Sequence, residues 1–148
     1  MFLGTYYHTI DNKGRLTVPS RYRELLMAEG AFITQGFDQN LMVLTETSFH
    51  TIYKRVNRLS MTDPTTRMLK RLIFSNADRV DVDKAGRILI PQFLREAVAL
   101  NSEVVIVGVG DYFEIWSSEH WAEHNTQLQD IEANAQRFLA LDLSTNVE

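Results

Sequence analysis

Nine residues that occur twice constrain this chain more than any other feature. Asp11-Asn12-Lys13-Gly14-Arg15-Leu16-Thr17-Val18-Pro19 returns 72 positions later as Asp83-Lys84-Ala85-Gly86-Arg87-Ile88-Leu89-Ile90-Pro91. The register extends without a gap from residue 11 to residue 49. It gives seven identities in 39 positions, where average composition supplies about two or three. Core-type hydrophobic positions exchange for hydrophobic ones, as in Leu16/Ile88, Val18/Ile90, Ile33/Val105 and Val43/Ile115. A repeated unit with strands this short cannot close a core alone and must complete itself against its twin.

Each copy reads as β-β-α-β-β. A strand (Tyr6–Ile10, Arg79–Val82) enters a turn of Asp, polar residues and Gly, and an alternating strand follows at Leu16/Val18 and Ile88/Ile90. Pro19 and Pro91 stand where a helix begins, and the helices run to about Ala28 and Leu100. Two further strands close each copy, Phe32–Gln35 with Leu41–Thr45 and Val104–Val107 with Tyr112–Trp116. The predicted fold is α+β, with tandem repeats forming a small pseudo-two-fold sheet or barrel to which helices are added.

Between the copies the pattern predicts a helix over Ser48–Arg58. A second follows the cap Thr62-Asp63-Pro64, with an apolar stripe of Met68, Leu69, Leu72 and Ile73. After the second copy it predicts one long acidic helix from Ser118 to about Leu141, with the last residues frayed. The expected segments are motif 1 at 5–47, connecting helices at 48–75, motif 2 at 76–119, and a C-terminal helix and tail at 120–148.

At 148 residues the chain is long enough for one packed domain, and it has no cysteine for disulfides or thiolate chemistry. No signal-peptide or membrane-spanning pattern is present, which predicts an unexported cytoplasmic protein. The net charge of −4 is unevenly spread: residues 1–95 carry 14 basic and 9 acidic groups, residues 96–148 one basic and 10 acidic. An acidic protein can therefore present a basic face, and local potential is what a partner meets first.

The Asp-x-x-x-Arg turn is the sharpest chemical signal. A rigid turn could aim Arg15 and Arg87 at phosphates or guanine edges. Equally, each arginine could pair with its own aspartate and only brace the hairpin, because a guanidinium serves both purposes well. The basic set Lys54, Arg55, Arg58, Arg67, Lys70, Arg71 and Arg79 reads either as a solvated helical face, as a partner for the acidic C-terminal segment of a neighbouring subunit, or as a second nucleic-acid surface. His120-Trp121-Ala122-Glu123-His124 spells an inverted zinc-peptidase signature, which a small zinc-dependent hydrolase would build on His120, Glu123 and His124. Solvated histidines on an acidic helix are the better reading of that segment, since a motif without its further ligand is only a pattern.

The stretches GTYYHTIDNKGRLTVPSRYRELL and RVDVDKAGRILIPQFLREA, with SFHTIYKRVNRLSMTDPTTRMLKRLIFSNA between them and EIWSSEHWAEH after them, closely resemble the MraZ family of bacterial transcription regulators. The resemblance implies two SpoVT/AbrB-like motifs in a swapped-hairpin fold and assembly of copies into a homo-oligomeric ring. It also implies binding of double-stranded DNA at short direct repeats upstream of the protein's own division and cell-wall operon, typically repressing it. The family's DNA-contacting motif maps onto Asp11 to Arg15 and Asp83 to Arg87. Arg15 and Arg87 are then the expected DNA readers, with Lys13 and Lys84 in support and Asp11, Gly14, Asp83 and Gly86 organising the turns. The copies differ in one respect: Lys13 directly precedes Gly14, whereas Ala85 precedes Gly86 and Lys84 lies one position earlier. Lys13 is therefore the stronger candidate of the two lysines. No cofactor, metal, membrane or small-molecule substrate is expected, and the location implied is the nucleoid. The alternative within the same superfamily is an antitoxin, usually built from one motif and a disordered toxin-binding arm.

Overall fold

The structure is a computed structural model that describes residues 1–144, so the predicted fraying of the last few residues falls mostly outside the described residues. The first copy consists of β1 (Thr5–Thr9), β2 (Arg15–Thr17), α1 (Ser20–Glu29), β3 (Ala31–Gln35) and β4 (Asn40–Thr45). The helices α2 (Glu46–Asn57) and α3 (Pro64–Phe74) follow. The second copy repeats the order with β5 (Asp78–Val80), β6 (Arg87–Leu89), α4 (Gln92–Ala97), β7 (Glu103–Gly108) and β8 (Tyr112–Ser117). The chain then enters α5 (Ser118–Leu128) and α6 (Ile131–Arg137). Two compact units result: Met1–Ser118 contains every strand, and the second begins at Glu119.

Strand exchange between the copies defines the first unit. Its main sheet is antiparallel with the order β1-β7-β8-β4-β3-β5, while β2 pairs only with β6. The first strand of each copy thus lies against the third strand of the other, β1 on β7 and β5 on β3. The fourth strands meet at the centre, with Val43 opposite Phe113. This confirms the α+β class and the swapped repeats. The barrel, however, is not closed among the described residues. β1 and β5 remain as edges, because β2 and β6 peel away into a separate ribbon joined to β1 through a single bridge, Ile10 to Leu16.

The uninterrupted register of 72 also needs correction. Ala31 pairs with Thr45, whereas Val104, not Glu103, pairs with Ser117, so β7 is displaced by one residue relative to β3. An extra residue before β7 is compensated by a shorter turn between β7 and β8. A gapless alignment cannot see two changes that cancel. Gly36 and Gly108, identical in sequence, are therefore not structural equivalents.

Three element ends also differ from their sequence reading. β5 covers Asp78–Val80, not Arg79–Val82. α4 stops at Ala97, because Ala99 takes φ +54° and the chain turns back with Leu100 N–H donating to Arg95 O and Ala99 N–H to Glu96 O. That is a Schellman stop without the glycine that normally advertises it. The long C-terminal helix is two helices, since the Asp130 carboxylate accepts from Ala133 N–H at 3.1 Å and starts α6 afresh. Asp63 caps α3 as its sequence predicts, accepting from Thr65 N–H, with Pro64 in the first turn. The α3 stripe is covered less than expected: Ile73 and Thr66 are buried, while Met68 is 68% exposed.

The core joins both copies. Leu16, Val18, Ile88, Ile90 and Leu94 are fully buried together with Ile33, Leu41, Val43, Ile106 and Ile115. At one end Phe2, Tyr22 and Phe113 form an aromatic cluster with centroids 5.0–5.3 Å apart. The Tyr22 hydroxyl donates to Leu3 O at 2.7 Å. Because Leu16 and Ile88 face each other across the ribbon with no exposed surface, Leu16→Ala and Ile88→Ala should each cost about 2–5 kcal/mol by urea denaturation. Burial, reinforced by Tyr6, pushes the Tyr22 phenol up to about 12. Its folded pKa lies above the unfolded value of 10.0, so its contribution is complete below pH 10 and lost as pH rises through about 12. The thermal-midpoint advantage of wild type over Tyr22→Phe should accordingly shrink across that window.

Candidate nucleic-acid interface

The two repeated turns fold alike because one carboxylate can satisfy several donors at once. Asp11 Oδ1 accepts from Lys13 N–H at 3.0 Å and Arg15 N–H at 2.8 Å, while Oδ2 accepts from Arg15 Nε at 2.6 Å. In the second copy Asp83 Oδ1 accepts from Ala85 N–H and Arg87 N–H, both at 2.9 Å, and Oδ2 accepts from Arg87 Nε at 2.9 Å. Backbone bonds complete each loop: Gly14 N–H donates to Asp11 O and Gly86 N–H to Asp83 O, both at 3.0 Å. Both glycines lie at positive φ, +87° and +80°, where a side chain is strained.

Each turn is then closed by the opposite copy. Val18 N–H donates to Gly86 O at 2.9 Å, and Ile90 N–H donates to Gly14 O at 2.8 Å. Arg95 lies over Gly14, where an added Cβ would come within 2.8 Å of its guanidinium carbon and 2.9 Å of Ile90 O. Arg23 lies over Gly86 in the same way, with Nε 2.6 Å from the Cβ position. Both arginines are held by carbonyls of their own copy, Arg23 Nε donating to Val18 O at 2.8 Å and Arg95 Nε to Ile90 O at 3.1 Å. Sequence reasoning gave Arg23 and Arg95 no role. Their identity at matched positions of the repeat was the available signal.

The β2–β6 register decides which side chains face outward. Arg15 opposes Leu89, Leu16 opposes Ile88, and Thr17 opposes Arg87. Leu16 and Ile88 point into the core, so the alternate positions Arg15, Thr17, Arg87 and Leu89 share the outer face. Arg15 and Arg87 sit on a diagonal of the ladder, with backbones roughly 7–8 Å apart. Their side chains keep 33% and 32% of their surface exposed. Lys13 and Lys84 are exposed in the adjoining turns, and Lys84 occupies the place of Asn12, not that of Lys13.

Of the two readings of the turn arginines, the geometry shows the brace directly. The aspartate does brace its own arginine, and it does so through Nε. A guanidinium carries five N–H donors, so this grip orients the terminal amino groups instead of consuming them.

The other candidates lie elsewhere. Arg79 leaves the basic set, since it pairs with Glu46 at 3.5 Å and stacks 5.1 Å over the Phe32 ring. Lys54, Arg55, Arg58 and Arg71 are exposed on α2, its end and α3, on elements other than the ribbon. His120, Glu123 and His124 lie on α5. No group of three His, Asp or Glu side chains that could hold a metal ion occurs among the described residues. No helix among them is long and apolar enough to cross a membrane.

Two interlocked copies of one motif account for the fold and the ribbon alike, and comparison with known proteins finds the same division. A family model described as "MraZ protein, putative antitoxin-like" matches twice, over residues 1–72 and 73–141. The chain belongs to the MraZ family. The transcriptional regulator MraZ of Roseiflexus castenholzii is 44% identical over 138 residues, covering 93% of this chain and 94% of that protein. That of Herpetosiphon aurantiacus is 43% identical over 121 residues, covering 82% and 84%. That of Desulfitobacterium hafniense strain Y51 is 42% identical over 139 residues, covering 94% and 96%. The MraZ match therefore spans both turns, α2, α3 and the C-terminal helices.

The turn geometry predicts a specific acid response. The Arg15 backbone N–H is the main influence holding Asp11 below its ordinary 3.8, against an opposing desolvation, with the Arg15 side chain and Lys13 N–H adding to it. Asp83 is held down in the same way by Arg87, first through its backbone N–H. A depressed folded pKa gives stability that is complete above the unfolded value and lost as pH falls through the folded one. Scanning calorimetry should find the Asp11→Asn/Asp83→Asn variant less stable than wild type at pH 7, with the gap closing below pH 4. Gly14→Ala should lose more than about 1 kcal/mol, because it meets both the positive φ and the Arg95 guanidinium.

Proposed function

We propose that this chain is a sequence-specific DNA-binding transcriptional regulator, not an enzyme, and that it reads DNA with the outer face of the β2–β6 ribbon. One observation carries the reading: two arginines, each fixed at Nε by its own turn aspartate, stand on the exposed face of one two-stranded ribbon. The major groove of B-DNA admits such a ribbon, and an arginine fork fits guanine O6 and N7 or a phosphate. Arg15 and Arg87 are the readers. Lys13, and more weakly Lys84, supply phosphate contacts, while Asp11, Gly14, Asp83 and Gly86 hold the turns. Arg23 and Arg95 lock each turn onto the opposite copy and act as positioning residues.

One ribbon offers few cations, and single phosphate contacts are weak and salt-sensitive. Assembly into a ring, set on short direct repeats about one helical turn apart, multiplies those contacts through effective concentration. Family membership supports assigning the target as repeats upstream of the protein's own division and cell-wall operon, with repression as the outcome. The site of action is then the cytoplasm, on nucleoid DNA.

Fluorescence anisotropy tests this with DNA taken from immediately upstream of the gene, a scrambled control and a salt series. Wild type should bind the native sequence preferentially with a steep salt slope, and Arg15→Ala and Arg87→Ala should each weaken that preference by about 5–150-fold. Equal binding of native and scrambled DNA, or unchanged binding by both variants, would overturn the reading.

A further inference from the structure

We propose that Leu89 is a specificity-determining residue that contacts the C5-methyl group of a thymine in the major groove, and that its contrast with Thr17 gives each copy a fixed direction on the duplex. The proposal rests on the β2–β6 ribbon being the DNA-contacting face, and it names what that face recognises beyond its arginines.

The first observation is a symmetry and its breach. A local two-fold axis through the Leu16–Ile88 pair exchanges Arg15 with Arg87 and Thr17 with Leu89. The locking bonds obey it, Val18 N–H to Gly86 O at 2.9 Å and Ile90 N–H to Gly14 O at 2.8 Å. So do the two aspartate braces. Of the outer residues of the ribbon, only the Thr17/Leu89 pair breaks it. Thr17 is half-buried and carries a hydroxyl, whereas Leu89 is a hydrocarbon left 57% exposed.

The second observation is where Leu89 stands. The locking bonds fix the parity of the ladder: Val18–Gly86 and Gly14–Ile90 are hydrogen-bonded positions. Arg15/Leu89 and Thr17/Arg87 are then the non-hydrogen-bonded pairs, with Cα atoms about 4.5 Å apart and side chains at their closest. Leu89 therefore shares one half of the face with Arg15, and Thr17 shares the other half with Arg87. A duplex that meets both arginines also covers Leu89. A lone exposed leucine is ordinary on a protein surface, but this one lies inside the footprint of a polyanion.

Chemistry identifies what it meets there. Phosphates offer a leucine nothing, and the major-groove edges of guanine, adenine and cytosine present donors and acceptors. Thymine adds a methyl group, and burying that methyl is worth about fourfold in affinity. The Thr17 hydroxyl donates or accepts and so discriminates little between bases. The Arg15 half thus takes a thymine beside its guanidinium, while the Arg87 half tolerates other neighbours. Two equal halves would bind one site equally well in either orientation. Unequal halves select one orientation, as copies set on direct repeats require.

The test is a thymine-to-deoxyuridine scan of the upstream DNA, one position at a time, read by fluorescence anisotropy with the full chain. Deoxyuridine removes the methyl group and leaves base pairing intact. Wild type should lose about fourfold at thymines that recur once per repeat. Leu89→Ala should bind the unmodified DNA more weakly and be indifferent at those positions, and Thr17→Ala should respond as wild type does. Leu89 is exposed, so circular dichroism should match wild type, and Leu89→Gln is a second variant of similar size. A scan with no sensitive thymine overturns the proposal, as does sensitivity that survives both Leu89 variants or disappears in Thr17→Ala. In each of those cases the ribbon reading stands as long as wild type prefers native over scrambled DNA and Arg15→Ala loses that preference. A wild type without the preference overturns the ribbon reading and the proposal together.

Discussion

The pairing of β2 with β6 is the contact on which the rest of the structure depends. Both strands are three residues long, far too short to persist alone, and each comes from a different copy of the repeat. Their inner residues, Leu16 and Ile88, fill the centre of the core, and their outer residues form the candidate interface. Core and interface are thus two faces of one ribbon. A change that loosens the packing of Leu16 or Ile88 therefore also disturbs the backbone that carries the arginines.

The electrostatics follow the same economy. A chain with net charge −4 is an unpromising partner for a polyanion if its charge is spread evenly. Here the acidic excess lies from residue 96 onward, while the ribbon, its turns and the helices α2 and α3 all precede Arg95. Pairing of the turn aspartates with their arginines offsets negative charge beside the outer face while leaving the terminal guanidinium nitrogens unengaged by the aspartate. Each carboxylate is engaged by backbone N–H groups and one guanidinium nitrogen, which hold it in place beside its arginine.

Much of this was legible in the sequence because duplication supplies an internal control. Gly14/Gly86 and Asp11/Asp83 declare turns, and the conservation of hydrophobic character between copies declares strands and core. What escaped was whatever depends on the copies not being equal. The one-residue displacement of β7 leaves no trace, since its two causes cancel within the alignment. The stop at Ala99 lacks the glycine that would signal it, and the break at Asp130 hides a cap inside a run of good helix formers. The cross-clamping by Arg23 and Arg95 was invisible for a different reason: it is a contact between copies, and periodicity within a copy carries no information about it. The incomplete cover of the α3 stripe was masked by its own pattern, because an apolar stripe reads as core whether or not its own unit covers it.

The exchange of first strands sets an order on how the chain can be made. β1 finds its partner only when β7 exists, roughly a hundred residues later along the chain, and β2 must wait for β6. A ribosome-bound chain that has exposed the whole first motif therefore holds an unpaired strand, an unfinished core and a turn with no opposite copy to lock it. Nothing resembling the arginine-bearing ribbon can form until translation has passed Leu89, and the sheet is incomplete until it has passed Ser117. Long-range pairing of this kind is slow and leaves strand edges open meanwhile. A chain truncated between residues 20 and 74 thus holds every residue of one Asp-x-x-x-Arg turn and none of the opposite copy that completes the ribbon.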